Sequence, residues 1–232
     1  MQINRDETKK RALFVLTSHT LLGSTGRSTG FHLGETAEPW AILDAAGIRV
    51  EFLTIDGAPA EMIGHDPDSE VQNTFLKNPE VQNKLSNPIP LALADATRYG
   101  AIYFVGGHGA MWDFRPSKEL QELTRDIYEA GGVVSAICHG QAALVDVQRT
   151  DGHYLVSGKE LTAFSHESEQ ERGLDRVVPF SLQHALQARG AIYSCASGRN
   201  AHVVRYGRLL TAQNPASAAG LGHQLADMMQ QS

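Results

Sequence analysis

The chain of 232 residues has only two cysteines, Cys138 and Cys195, and nothing in it suggests export. A structural disulfide framework is therefore not expected, and at least one thiol is expected to be free. A basic block is missing as well. Lys and Arg number 20 against 26 Asp and Glu, a formal net charge of -6, so neither nucleic acid nor anionic membrane is an expected partner. Apolar runs such as Ala101 to Val105 are far too short to span a bilayer. The opening segment, Met1 to Arg11, is polar where a signal peptide needs an apolar stretch. These absences predict a soluble, cytoplasmic protein. Internal repeats and low-complexity tracts are also lacking, and 42% hydrophobic with 20% charged residues is ordinary globular composition.

What is present is an alternation of short apolar, β-branched runs with helix-forming segments, in a length that suits one domain over residues 1–232. Ala12 to Leu16 reads as a buried strand, Glu35 to Ala46 as a helix stopped by Gly47, and Arg49 to Ile55 as a second strand. Residues 56–98 lose this periodicity. Pro59, Pro67, Pro79, Pro88 and Pro90 interrupt a polar stretch that includes Asn73 to Asn87, which predicts an insertion or cover, or a small helical subdomain. The alternation then resumes: strand Ala101–Val105, Gly-rich loop Gly106–Phe114, helix Ser117–Ala130 with Ser117 as N-cap, and strand Gly132–Ile137. Helices are expected over Gly140–Val147, Phe180–Ala188 and Pro215–Met229, and two short strands around Tyr206-Gly207. The class is α/β, with a mostly parallel central sheet and helices on both faces.

Chemistry concentrates where the strand ending at Ile137 meets Cys138. Ala136-Ile137-Cys138-His139-Gly140 has small residues two before and two after the cysteine, the pattern of a nucleophile elbow whose sharp turn demands close backbone approach. At a helix N-terminus the thiol pKa is expected to be depressed, and the His139 backbone N–H would face a developing oxyanion. A buried, inert cysteine is the plainer alternative, and it is the reading kept for Cys195. In Gly106-Gly107-His108-Gly109 two successive glycines permit backbone approach to a ligand, so that the Gly107 N–H would complete an oxyanion hole; a plain tight turn is the alternative. That loop lacks both the Gly-Lys-Ser/Thr ending of a phosphate loop and the third glycine of a dinucleotide fingerprint. His166-Glu167 lacks a second histidine, so no metal is expected.

Ala-Ile-Cys-His-Gly at 136–140, Gly-Gly-His-Gly-Ala-Met-Trp-Asp at 106–113 and Asn-Pro-Ala-Ser at 214–217 together resemble the DJ-1/PfpI superfamily, which is glutamine amidotransferase-like. The resemblance runs from Ala12 to Met229 and favours the glyoxalase III and heat-shock chaperone branch. It implies a flavodoxin-like sandwich, a homodimer and no cofactor. It also implies that a carboxylate in the Thr29–Pro39 stretch reaches the cysteine, which falls on Glu35 rather than Glu38. His139 would pair with Glu169, with Glu167 and Glu171 as neighbouring alternatives. His108, Met111 and Trp112 are candidates for lining the pocket, or for packing beneath the insertion. The implied activity is glutathione-independent conversion of methylglyoxal, a small reactive aldehyde, to lactate (the D-lactate dehydratase type) through a Cys138 hemithioacetal. Alternatives are a holdase or stress-response role, protein deglycation, or amide and peptide hydrolysis. The His-x-Glu pair that amidotransferases carry near the C-terminus is absent from residues 202–215.

Overall fold

The computed structural model describes residues 10–231; Met1 to Lys9, most of the polar opening segment, lie outside the described residues. The apolar runs align as strands of one sheet. In chain order, β1 (Arg11–Leu16) leads through a loop to β2 (Phe31–His32) and helix α1 (Leu33–Ala45), and β3 (Arg49–Thr54) follows. Residues 56–98 carry β4 (Met62–Ile63), α2 (Glu70–Lys77), α3 (Pro79–Ser86) and β5 (Ile89–Pro90). Next come β6 (Ala101–Phe104), the one-turn α4 (Ala110–Asp113), α5 (Lys118–Glu129) and β7 (Val133–Ile137). After a 3-10 turn over Cys138–Leu144 the chain forms β8 (Glu160–Leu161), α6 (His166–Glu171), α7 (Leu182–Ala188), β9 (Ile192–Tyr193), the hairpin β10 (Val203–Tyr206) and β11 (Leu209–Ala212), and α8 (Ala218–Gln230).

The strands of the main sheet lie in the order β10-β11-β7-β6-β1-β3-β5. Every neighbouring pair is parallel except β10 with β11. This is the mostly parallel, flavodoxin-like α/β sheet. Successive side chains of β1 point to opposite faces: Ala12, Phe14 and Leu16 enter one core with α1 and α8 residues such as Leu43 and Leu225, while Leu13 and Val15 enter a second with Leu120 and Ile127 of α5. Strand β1 lies inside the sheet, and later strands add on both sides of it. The strand order reverses between β1 and β6, and ligands of such sheets bind outside the carboxyl ends of the strands at that switch point. Those ends are where the site lies.

Residues 56–98 are bound into the fold at several points. Ser69 and Asn78 cap α2 and α3 with their side chains, and Pro79 sits at the first position of α3, where its missing N–H costs nothing. One of the prolines that erase the sequence periodicity, Pro79, thus marks a helix start. Phe75 is fully buried against Trp40 and Phe52, and β5 extends the main sheet beyond β3. Three further local differences separate expectation from structure. The Gly-rich loop contains the turn α4. The segment after Cys138 is a 3-10 helix beginning at the cysteine itself. The acidic stretch around Glu169, which its run of charges reads as a solvated loop, is a helix, because the Ser165 side chain accepts from the Ser168 N–H and so caps it.

Candidate active site

Four chain segments meet at the carboxyl ends of β6 and β7, carrying Glu35, Gly106–His108, Cys138–His139 and Glu169. Cys138 adopts φ 57, the only positive φ of a non-glycine residue among those described. Holding cysteine in this left-handed region costs about 1 kcal/mol. The turn is enforced by its neighbours: a Cβ on Gly140 would fall 2.3 Å from the Phe104 carbonyl oxygen, and one on Gly106 would fall 2.1 Å from Glu35 Oε2 and 2.7 Å from Cys138 Cβ. Only glycine at 106 leaves the carboxyl and the thiol side by side.

Glu35 stands in the first turn of α1, fully buried. The Tyr103 hydroxyl donates to its backbone carbonyl at 2.6 Å. Neither carboxylate oxygen has a hydrogen-bond partner of ordinary geometry; the Cys138 thiol and the Gly106 N–H are the polar groups facing it. Burial pushes its pKa up to about 8, with the thiol, the Arg172 charge and the Gly106 N–H only partly opposing. Glu35 therefore holds a proton at neutral pH.

The thiol departs from expectation. Burial, and then the adjacent Glu35 carboxyl, push the Cys138 pKa well above the ordinary value, and the His139 backbone N–H pulls the other way without prevailing. A short 3-10 turn supplies a weaker dipole than the full helix expected there, and a site this dry disfavours any new anion. Cys138 rests as a thiol.

The imidazole of His139 lies on the other side of the sulfur, with Nδ1 3.3 Å from Sγ and Nε2 2.7 Å from Glu169 Oε2. Burial and the neighbouring His108 lower its pKa to about 4 against the pull of Glu169, so the ring is neutral. Because Glu169 is an acceptor, the single ring proton belongs on Nε2, which leaves Nδ1 to accept from the thiol. Burial alone would raise the Glu169 pKa, but hydrogen bonds from His108 and His139 hold its carboxyl far below the usual carboxylate range. Glu169 is buried, whereas Glu167 and Glu171 are exposed and Glu38 is half-buried. The structure thus brings Cys138, His139, Glu35 and Glu169 together.

His108 shares that carboxylate, its Nε2 2.8 Å from Glu169 Oε1, and its ring centroid lies 3.9 Å from that of His139. Together, the two Nε2 atoms and the carboxylate could hold a cation, all lying within 4.8 Å of one another. Of the other pocket candidates, Met111 is a correction: it is buried in the second core, because α4 turns it inward. Trp112 stacks on His19 in the loop after β1, centroids 5.0 Å apart. Gly107 has φ +113, and its N–H is engaged by no other group among the described residues. Cys195, expected to be structural, is exposed and free.

Sequence reasoning missed three residues here. Phe164 stacks on His139 at 4.5 Å and donates its N–H to the Cys138 carbonyl. The Arg172 guanidinium lies 5.2 Å from the Phe164 ring centre, and its charge is felt at His32, Glu35 and His139. His32 is mostly buried with Nδ1 unpartnered, and burial, Arg172 and His108 lower its pKa to about 4. Spacing was the available signal, since Arg172 follows Glu169 by three residues and so shares its helix face.

The DJ-1/PfpI family model matches residues 28–228. The chain is similar to the glutathione-independent glyoxalase HSP31 of Saccharomyces cerevisiae, 27% identical over 224 residues, 90% of this chain and 93% of that protein. Among solved structures it is similar to the Rapid Encystment Protein 24 KDa of Francisella tularensis, with a TM-score of 0.91 and 34% identity over 94% of this chain and 98% of that one. It is also similar to glyoxalase III of Candida albicans, with a TM-score of 0.88 and 26% identity over 95% and 98%. Among the described residues no helix is long and apolar enough to cross a membrane.

Proposed function

Because the chain belongs to the DJ-1/PfpI family, whose glutathione-independent glyoxalases and glyoxalase III it resembles over most of its length, we propose that it converts methylglyoxal to lactate without glutathione. One observation carries the reading: Cys138 is held between a carboxyl that keeps its proton and a neutral imidazole that can take one.

In this reaction Cys138 Sγ adds to the aldehyde carbon as His139 Nδ1 takes the thiol proton, and Glu35 gives its proton to the aldehyde oxygen, completing a hemithioacetal. The resulting Glu35 carboxylate, unusually basic because it is buried, then removes the carbon-bound hydrogen while His139 returns its proton to the ketone oxygen. An enediol forms, its oxygens facing the N–H groups of Gly107 and His139. Glu35 delivers the proton to the former ketone carbon and recovers one from the hydroxyl on the sulfur-bearing carbon, leaving a lactoyl thioester. Water attacks that thioester with His139 as base, and the departing sulfur regains a proton. The sum is methylglyoxal plus water giving lactate and one proton, and Glu169 stays ionised throughout, fixing the His139 tautomer.

A cytoplasmic setting, where thiols stay reduced, suits the chemistry. Amide hydrolysis would use the same thiol and imidazole but has no need of a protonated Glu35. Client holding would need a contiguous apolar patch, and the exposed large apolar side chains Leu21, Met62, Leu93, Ile192 and Tyr206 sit on five different segments. The test is lactate formation from methylglyoxal in glutathione-free, amine-free buffer. Wild type should produce lactate and Cys138→Ala none; a wild type that hydrolyses an amide but makes no lactate overturns the assignment.

A further inference from the structure

A thiol relay needs one imidazole, and Glu169 holds two. The second, His108, has no step in the chemistry above. We propose that His108, His139 and Glu169 form a binding site for a divalent transition-metal ion of the zinc class, whose occupancy withdraws His139 from the relay and switches the enzyme off. The switching rests on the glyoxalase reading, whereas the binding site does not.

The donor atoms already converge. Nε2 of His108 and Nε2 of His139 lie 2.8 and 2.7 Å from the two Glu169 oxygens, and no pair in the set exceeds 4.8 Å. Metal–ligand bonds of about 2.0–2.2 Å in a tetrahedron set ligand atoms roughly 3.4 Å apart. The nitrogen–oxygen spacings must therefore open by about 0.7 Å and the nitrogens draw in by up to about 1.4 Å. Two imidazole nitrogens and one carboxylate suit zinc, cobalt, nickel or copper, not the all-oxygen shells of calcium or magnesium. Zinc enzymes use this same three-ligand set with a fourth position left open.

The frame is stiff. Glu169 projects from a helix capped by Ser165, the His108 carbonyl accepts from the Met111 N–H at 2.9 Å, and the His139 ring is stacked between His108 and Phe164. His108 retains 14% side-chain exposure while His139 and Glu169 are almost fully buried, so an ion reaches the site past His108. Arg172, the nearby cation, opposes a second positive charge, which favours the tight-binding end of the metal series.

Switching follows from where the ring proton sits. A metal on Nε2 requires the neutral His139 imidazole to carry its hydrogen on Nδ1. On His139 that Nδ1–H then faces Cys138 Sγ at 3.3 Å, and the acceptor for the thiol proton is gone.

Chelator-treated full-length protein, titrated with Zn2+ by calorimetry and with Co2+ by visible absorption, tests the site. Wild type and Cys138→Ala should each bind one equivalent with affinities within a few-fold, and His108→Gln should bind at least about tenfold more weakly. His184→Gln serves as a control, because His166 and His184 stand 4.7 Å apart on the surface, and it should bind as wild type does. In the lactate assay Zn2+ should inhibit wild type, with chelator restoring the rate, and His108→Gln should need at least about tenfold more Zn2+ for half-inhibition of its own rate. Loss of binding in Cys138→Ala would make the thiol the ligand and overturn the proposal; so would unchanged binding in His108→Gln. A wild type that makes no lactate but shows this binding pattern fails the glyoxalase reading and leaves the site standing.

Discussion

Glu35 and Glu169 are the same residue type, both buried and both in the first turn of a helix, yet one keeps its proton and the other has lost it. Burial penalises the charge of each. What differs is the partner: Glu35 faces a thiol and one backbone N–H, while two imidazoles donate to Glu169. A helix N-terminus contributes a few tenths of a kcal/mol to about 1 kcal/mol, too little to decide either case. Two carboxyls set to opposite states around one sulfur supply an acid that becomes a base, and a fixed anion that stays ionised through the reaction.

The comparison can be broken at either end. Glu169→Gln should have the larger effect, lowering lactate formation by about 10⁴-fold, because an amide no longer fixes the tautomer that leaves His139 Nδ1 open to the thiol. Steady-state rates check this. Glu35→Gln should lower the rate by about 10²–10⁴-fold through loss of the proton donor and base, with hemithioacetal formation also slowed in a stopped-flow trace. Equal, small effects of the two would erase the distinction.

Acidity sharpens it further. The rate should fall about tenfold per pH unit above about 8, as Glu35 loses the proton it must give, and should fall again near pH 4 as His139 becomes protonated. Stability should show the smallest effects, with opposite signs. The raised Glu35 pKa contributes stability that is complete below its ordinary value of 4.5 and is lost as pH rises toward about 8. Wild type should thus lose about 1 kcal/mol per pH unit relative to Glu35→Gln across that window. The depressed Glu169 pKa contributes stability that is present above 4.5 and lost as pH falls below it, so Glu169→Gln should be less stable than wild type at neutral pH and approach it in acid. Denaturant melts across a pH series measure both slopes.

Much of this was legible in the residues. Cys138 and His139 announce themselves because the elbow requires small neighbours, and the structure shows why at Gly106 and Gly140, where any Cβ would collide. The central strands β1, β6 and β7 could be read because burial on both faces leaves unbroken apolar runs, whereas the two-residue edge strand β5 is hidden in the proline-broken stretch 56–98. Glu35 and Glu169 were legible only through the family resemblance, since an acid in a first helical turn is ordinary and burial cannot be read from one position. The ionisation of Cys138 was misread for the same reason: the elbow predicts a dipole, whereas the dry contact with Glu35 depends on chain segments a hundred residues apart. His108 looked like pocket lining because only the fold reveals that it and His139 converge on one carboxylate.

The central claim, that Glu35 carries the proton while Glu169 is ionised, is most directly tested by infrared difference spectroscopy of the carboxyl stretch at neutral pH. The account predicts a protonated-carboxyl band in wild type and in Glu169→Gln that vanishes in Glu35→Gln and titrates away near pH 8. A band that instead vanishes in Glu169→Gln and survives in Glu35→Gln would contradict it.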